Sequence, residues 1–372
     1  MFFLRKVVQH KYVPDLFVFL ITIILLLIGM VMVYSSSYVW AEFNYGDAYY
    51  FVKRQLFFVS LGLMLLVVLT FIPYFTWQKY SLFILLFCFI LLIIVLIPGV
   101  GLVRGGARSW IGVGAFSIQP SEFIKLGLII FLASILEQER VQITSFIRGF
   151  LPLTLLIFTV FCLFMSQPDF RTGLVIVSTC MLILFIAGAK LSHLFSLVIV
   201  GLIGFAFLII SAPYRLKRIT AFLNPWEDPL GDGFQMIQSL YAIGPGGLIG
   251  AGLGNSLQKY FYLPEPQTDF IFSIIAEELG FLGATAILIL FLLLCWRGFV
   301  IALHTTDRFA SLLAFGITGM LLIQVAINIS VVIGLIPVTG ITLPFISYGG
   351  SSLLLNIGAI GILLNISKFT TY

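Results

Sequence analysis

Leu16-Phe-Val-Phe-Leu-Ile-Thr-Ile-Ile-Leu-Leu-Leu-Ile-Gly-Met-Val-Met-Val33 is an unbroken run with no charged residue. A spanning helix needs about 20 mainly apolar residues to cross a hydrocarbon core about 30 Å thick, and this run nearly supplies them. It is longer than the apolar stretch of a secretory signal, and no small-residue cleavage site precedes Tyr34-Ser35-Ser36-Ser37, so it reads as a first helix that stays in place. Runs of the same kind recur along the chain. Hydrophobic residues make up 61% of the 372 and charged residues 9%, against roughly 25% charged in an ordinary soluble domain. So few charges cannot cover the surface of a water-soluble chain of this length.

Ten spans are expected, over about 15–39, 55–72, 79–97, 121–137, 149–166, 172–189, 192–212, 269–296, 309–333 and 347–367. An even number puts both termini on one side. With that side cytoplasmic, the inner loops hold Arg5, Lys6, Lys11, Lys79, Arg140, Arg148, Lys190, Arg297, Arg308 and Lys368, and the short outer loops hold Lys53, Arg54, Arg104, Arg108 and Arg171. Ten against five agrees with the positive-inside rule. The fold expected is an all-α polytopic membrane protein, one transmembrane domain over 1–372, with a long outer loop of about 213–268 between helices seven and eight.

The net charge of +5 serves topology in such a chain, and no basic run with interleaved aromatics points to a nucleic acid. Cys88, Cys162, Cys180 and Cys295 lie in apolar stretches without CxxC spacing and read as small hydrophobes. His10, His193 and His304 stand alone in loop-like stretches, unlike metal ligands.

Two segments interrupt the apolar pattern. The outer loop carries Arg215-Leu-Lys217-Arg218, Asn224-Pro-Trp-Glu-Asp-Pro229 and a glycine cluster, Gly244-Pro-Gly-Gly-Leu-Ile-Gly-Ala-Gly-Leu-Gly254. It is far above ordinary loop length. The second, Gly334-Leu-Ile-Pro-Val-Thr-Gly-Ile-Thr-Leu-Pro-Phe-Ile-Ser-Tyr-Gly-Gly-Ser-Ser352, breaks the backbone at a depth where only surrounding protein or a water-filled cavity tolerates it.

The topology gathers Arg104, Arg108, Glu122, Lys125, Asp169, Arg171, Glu265 and Asp269 at the outer face. Charges at membrane depth are functional candidates by default, yet each has a plain structural reading. Ser121 could cap the fourth helix, with Glu122 complementing its dipole. Glu122 and Lys125, three apart, could form an ion pair. Asp269 could be a first-turn acid of the eighth helix. Glu277 and Glu278 lie about 12 Å further in at ~1.5 Å per residue and diverge by about 100°, so at most one faces a given partner. Gln324 and Asn328, four apart, suit interhelical hydrogen bonding.

Absences narrow the chemistry. No Walker A loop, GxSxG elbow, HExxH or DxD pair is present. Any substrate is reached from the bilayer or its surface, and a lipid-linked anion suits the outer cluster: cations for a pyrophosphate, a carboxylate for acid–base work.

Gly106-Ala-Arg-Ser-Trp-Ile-Gly-Val-Gly-Ala-Phe-Ser-Ile-Gln-Pro-Ser-Glu-Phe-Ile-Lys125 resembles the SEDS family (shape, elongation, division and sporulation). So do Gln167-Pro-Asp169, Asn224 to Pro229, Glu265-Pro-Gln-Thr-Asp-Phe-Ile-Phe272, Ala276-Glu-Glu-Leu-Gly280 and the stretch Gly334 to Ser352. The resemblance covers essentially the whole chain in order and lies nearer the FtsW and SpoVE branch of Gram-positive bacteria than RodA. It implies a ten-helix glycosyltransferase of the bacterial cytoplasmic membrane that polymerises lipid II, the undecaprenyl-pyrophosphate-linked disaccharide peptide. The family's essential acid falls on Asp269, as general base toward the acceptor 4-hydroxyl. Arg108 and Lys125 would neutralise the leaving pyrophosphate, with or without a divalent cation (Mg or Mn), and Glu122 and Asp169 would orient them. Glu265, Ser347 and Ser351 complete the expected substrate-binding set; no metal ligands and no organic cofactor are assigned. The implied partners are a class B penicillin-binding transpeptidase and other division or sporulation membrane proteins. One departure stands out: the family reads Gln-Pro-Asp-(Leu/Phe)-Gly-Thr-Gly, and here Arg171 replaces the first of those glycines.

Two other functions stay open on the residues alone. A lipid II flippase would draw on broken helices such as Gly334–Ser352 and depend on Glu277 or Glu278. A scaffold for other wall enzymes would tolerate substitution at all these positions.

Overall fold

The computed structural model describes residues 13–104, 107–113, 116–138, 141–210, 220–231 and 233–370. Arg5, Lys6, His10, Lys11, Arg140 and the Arg215-Leu-Lys217-Arg218 run lie outside the described residues, as does the Arg104 side chain. Each of the ten expected spans contains a helix: α1 (Leu16–Tyr45), α2 (Tyr50–Phe71), α3 (Tyr74–Leu96), α4 (Pro120–Leu136), α5 (Leu151–Ser166), α6 (Phe170–Ile186), α7 (Leu191–Ile210), then α9 (Ile271–His304), α10 (Arg308–Val332) and α11 (Gly350–Ser367). A further short helix, α8 (Phe234–Ile243), lies within the long loop. Seven described helices are long and apolar enough to cross a bilayer. Their outward faces are apolar: Leu82, Phe83, Leu86, Phe87, Ile90 and Ile93 of α3 are all exposed, a surface that water would not tolerate at this extent. The chain is a multi-pass membrane protein.

Polar side chains close one end of the bundle. Asp15 caps α1 by accepting from Val18 N at 3.1 Å, and its other oxygen takes Arg297 Nε of α9 at 2.7 Å. The Asp15 backbone N–H donates to Ser367 Oγ of α11 at 2.9 Å. The start of the first helix is thus tied to the ends of two late ones.

The short outer loop expected between the third and fourth spans, which holds Arg104 and Arg108, contains strands. The segment forms a three-stranded antiparallel meander, β1 (Gly101–Arg104), β2 (Ala107–Val113) and β3 (Phe116–Ile118). Ile111 pairs with both Gly101 and Ile118, and a bulge lies between Leu102 and Val103. Along β2, Ala107 and Ser109 are buried while Arg108 and Trp110 are half-buried. That period-two alternation is the strand signature, in a run too short and glycine-rich to register against the hydropathy of its neighbours. His193 and His304 are also corrected: each lies in a helix, α7 and α9, and not in a loop. Cys162 is exposed, whereas Cys88, Cys180 and Cys295 are buried.

The glycine cluster of the long loop has a defined place. Helix α9 is interrupted at Gly280, where φ is 67° and ψ −167°, and the loop fills the break. Ala251 and Gly252 donate to the carbonyls of Glu277 and Glu278 at 2.9 and 3.0 Å, and Phe281 and Leu282 donate to those of Gly247 and Leu248 at 2.9 and 3.1 Å. Backbone groups orphaned by a broken helix must find partners at membrane depth, and here they do. The approach leaves no room for side chains: a Cβ on Gly250 would lie 2.2 Å from the Glu278 carbonyl oxygen, and one on Gly280 2.3 Å from the Gly250 nitrogen.

The same loop receives the two adjacent acids. Glu278 pairs with the fully buried Lys259 at 2.9 Å and accepts from Ser35 Oγ of α1 at 2.5 Å. Glu277 accepts from Ser256 Oγ at 2.5 Å and from Leu257 N at 2.7 Å. The expectation that at most one of them faces a given partner is corrected at Ser256, whose backbone N–H donates to Glu278 at 3.3 Å while its hydroxyl donates to Glu277.

Gly250→Ala and Gly280→Ala should each destabilise the protein by about 2–4 kcal/mol, since backbone must move to admit the methyl group. Gly201→Ala, at a helical position with open space beside it, should change stability by less than about 0.5 kcal/mol. Thermal unfolding of the detergent-solubilised variants checks the contrast.

Candidate active site

Asp169, Arg171, Glu265 and Asp269 meet around the loop Gly334–Gly349. Asp169 is buried and caps α6, accepting from Thr172 N at 3.3 Å and from Thr172 Oγ1 at 3.0 and 2.9 Å. Gln119 Nε2, at the mouth of α4, donates to its Oδ2 at 3.1 Å, and Ser121 Oγ does so at 3.4 Å. Ser121 is therefore not the cap of α4; Gln119 occupies that position, followed by Pro120 at the first turn. Arg171 Nε lies 3.4 Å from Asp169 Oδ1, and its Nη1 donates to the Gly340 carbonyl at 3.0 Å.

Asp269 lies before α9 and does not cap it. Its Oδ1 accepts from Thr268 Oγ1 at 2.9 Å, in a turn closed by Thr268 N on the Glu265 carbonyl at 3.0 Å. Glu265 adopts φ 43°, a left-handed conformation that costs a non-glycine residue roughly 1–2 kcal/mol. Asn328 Nδ2 of α10 donates to the carbonyls of Asp269 and Ile341, each at 2.7 Å, so one amide fixes the acid's backbone to the broken loop. Tyr348 N donates to the Gln267 carbonyl at 2.8 Å and holds the far side.

Burial lifts the Asp269 carboxyl above the ordinary aspartate value, with the Thr268 hydroxyl and Arg171 pulling it down. Glu265 is likewise raised, first by its surroundings and then by the Asp269 charge, against the pull of Arg171. Two acids and one guanidinium thus share a single electrostatic neighbourhood. A cavity of about 340 Å³ is bordered by Phe222, Leu230, Met236, Pro264 and Val338; none of the four charged residues lines it, and it adjoins their segments only through Pro264, next to Glu265, and Val338 of the irregular loop.

The other expected residues sit elsewhere. Glu122 and Lys125 form a buried ion pair at 2.7 Å, and a small enclosed space beside Lys125 is lined by Ile129, Ile176, Thr179, Cys180 and Met320. Arg108, on β2, is half-buried and reaches the Leu96 carbonyl at 3.5 Å. Ser347 Oγ accepts from Leu343 N at 2.9 Å, and Ser351 Oγ accepts from Gln119 N at 3.1 Å; both hold the loop and the α4 entry in place. Among the described residues no three His, Cys, Asp or Glu side chains converge as metal ligands, so no reaction step is drawn through a metal. Gln119 and Asn328 are the residues whose part at the site the sequence concealed. Asn328 was visible as a polar residue in an apolar helix, but its partners lie 13 and 59 positions away.

Residues 15–372 match the FtsW/RodA/SpoVE family, described as cell cycle protein. The chain belongs to that family. The chain is 58% identical to stage V sporulation protein E of Bacillus subtilis, over 97% of this chain and 99% of that one. It is 44% identical to the probable peptidoglycan glycosyltransferase FtsW of Geobacter metallireducens, over 95% and 94%. Among solved structures, one reported under the structural coordination of polymerization and crosslinking by a peptidoglycan synthase complex superposes with a TM-score of 0.78 at 33% identity, covering 95% of this chain and 97% of that one. The rod shape determining protein RodA of Thermus thermophilus superposes at 0.70 with 30% identity, over 95% and 96%.

For the ion pair between Glu122 and Lys125, Glu122→Gln should destabilise by roughly 3 kcal/mol by stranding a buried cation. The double variant Glu122→Gln/Lys125→Met should recover most of that stability, measured by thermal unfolding. Polymer formation by the stable double variant then separates a packing role from a chemical one.

Proposed function

We propose that this family member is a peptidoglycan glycosyltransferase that polymerises lipid II at the outer face of the bacterial cytoplasmic membrane, with both termini inside. The observation that carries the reading is Asp269. It is a half-buried carboxylate raised above its ordinary value, pinned through its backbone by Asn328, and under the influence of the Arg171 cation.

In the reaction, Asp269 accepts the proton of the acceptor sugar's 4-hydroxyl. The freed oxygen attacks the anomeric carbon of the lipid-linked donor from the opposite face. One C–O bond forms, the C–O bond to undecaprenyl pyrophosphate breaks, and the configuration inverts. A general base works best with a pKa near the operating pH, and burial moves Asp269 upward from the ordinary aspartate value. Arg108 is the exterior cation proposed to neutralise the departing pyrophosphate, while Lys125 is matched within α4 by Glu122 at 2.7 Å. A divalent cation carried on the pyrophosphate is part of the proposal, and polymerisation that continues at full rate in excess EDTA removes it. The partner proposed is a class B penicillin-binding transpeptidase, with other division or sporulation membrane proteins around it. This draws support from the likeness to a chain of a peptidoglycan synthase complex.

A flippase working through Glu277 or Glu278 draws no support from their surroundings, because both carboxylates are engaged by the loop at Ser256, Leu257 and Lys259.

Purified protein with its transpeptidase, supplied with lipid II, should make glycan polymer, and Asp269→Asn should make at least ~100-fold less. Polymer from both at equal rate would dismiss Asp269 as the base. The wild-type rate should fall on the acid side, because the base is ionised above its raised pKa and lost as pH drops through it. That limb should lie higher than for a solvent-exposed aspartate.

A further inference from the structure

Arg171 touches two parts of the site and faces a third across Gly340. Its Nε approaches Asp169 at 3.4 Å, and its Nη1 donates to the Gly340 carbonyl at 3.0 Å. A Cβ placed on Gly340 would lie 2.9 Å from Arg171 Nη1 and 3.7 Å from Asp269 Oδ2. The guanidinium and the acid therefore border the same small space, kept open by a residue without a side chain. Gly340 holds φ 76°, the left-handed region that favours glycine.

We propose that Arg171 is a positioning residue for glycosyl transfer, one that ties the start of α6 to the Gly340 turn and sets the charge that Asp269 works against. The proposal rests on Asp269 being the base. Asp169 does not need Arg171 for its own satisfaction, since Gln119, Ser121 and Thr172 already donate to it. The Arg171 side chain is 38% exposed, and a pair of that exposure adds little to stability. Its effect falls instead on the two acids across the turn. Those acting on Asp269 from the surrounding described elements are Glu265 on its own turn and Arg171 from α6, with Asp169 behind the guanidinium. The loop 334–349 contributes backbone and Tyr348 but no charged side chain, and α10 contributes the neutral Asn328.

With Arg171 present, the cation opposes burial at Asp269, and burial together with the Asp269 charge at Glu265, so both acids stay ionised to lower pH. Without it, Asp269 and Glu265 hold protons more tightly and titrate as a pair. The base is then lost at a higher pH. An opposite charge nearby favours the ionised carboxylate, so its removal moves the titration upward.

The test measures lipid II polymerisation by the purified complex with its transpeptidase from pH ~5 to ~9. It compares wild type, Arg171→Gln, Arg171→Lys and Asp269→Asn, with thermal unfolding of each. Expected are an acid limb displaced measurably upward in Arg171→Gln, a limb returned close to wild type in Arg171→Lys, and little change in unfolding temperature. A wild-type limb in Arg171→Gln, beside an inactive Asp269→Asn, overturns the proposal and leaves the base intact. An active Asp269→Asn removes the base itself and this inference with it. A large loss of stability in Arg171→Gln, with Arg171→Lys displaced equally, makes the residue structural and also overturns the proposal.

Discussion

Four backbone hydrogen bonds stitch Ala251, Gly252, Gly247 and Leu248 to the break in α9. A helix interrupted in the bilayer exposes amides and carbonyls that lipid cannot satisfy, and each group left alone costs several kcal/mol. The glycine cluster answers that constraint by laying backbone against backbone at distances no side chain allows. Once it is seated, the following segment carries Lys259 into contact with Glu278, and Glu278 in turn takes the Ser35 hydroxyl of α1. The start of α9 is thereby fixed on one side by the loop and on another by the first helix, and Asp269 stands just before that start.

A second irregular segment meets the first from across the cleft. The stretch Gly334–Gly349 is held by Asn328, by the Ser347 hydroxyl and by Gln55, whose amide donates to the Ser347 carbonyl at 3.2 Å. The site thus lies between two broken elements, each satisfied by polar side chains drawn from regular helices. Rigid helices outside and shaped backbone within is the arrangement that holds a reacting carboxylate to a narrow geometry. It also accounts for several buried polar residues here: Ser351 and Asn328 satisfy backbone groups, and Gln119 donates to the Asp169 carboxylate.

The charged residues divide by the same logic. Glu122 with Lys125, and Glu278 with Lys259, are buried pairs whose members neutralise one another within the protein. Asp269 and Glu265 are less enclosed, and the one cation near them, Arg171, also pairs with Asp169. Acids thus outnumber the cation, and it is the imbalance that suits acid–base chemistry.

The sequence by itself determined the membrane character, the ten helical segments and the candidate acid. Apolar runs of spanning length have few physical alternatives, and Glu265-Pro-Gln-Thr-Asp269 resembled a family motif closely enough to name the residue. It also marked both irregular segments, because clustered glycine and proline cannot continue a helix. Only the tertiary structure decided what those segments do. That Gly250 meets Gly280, that Asn328 serves Asp269 and Ile341 together, and that Arg171 faces Asp269 over Gly340 are contacts between positions far apart in the chain. Spacing carries no record of them, since hydropathy reports how deep a residue lies and not which neighbour it meets there. The β-meander was missed for a related reason: its strands are short, and their pairing, more than their composition, defines them. Among charges at one depth, pairing within the fold separated the neutralised from the reactive, and that is a property of three-dimensional proximity alone.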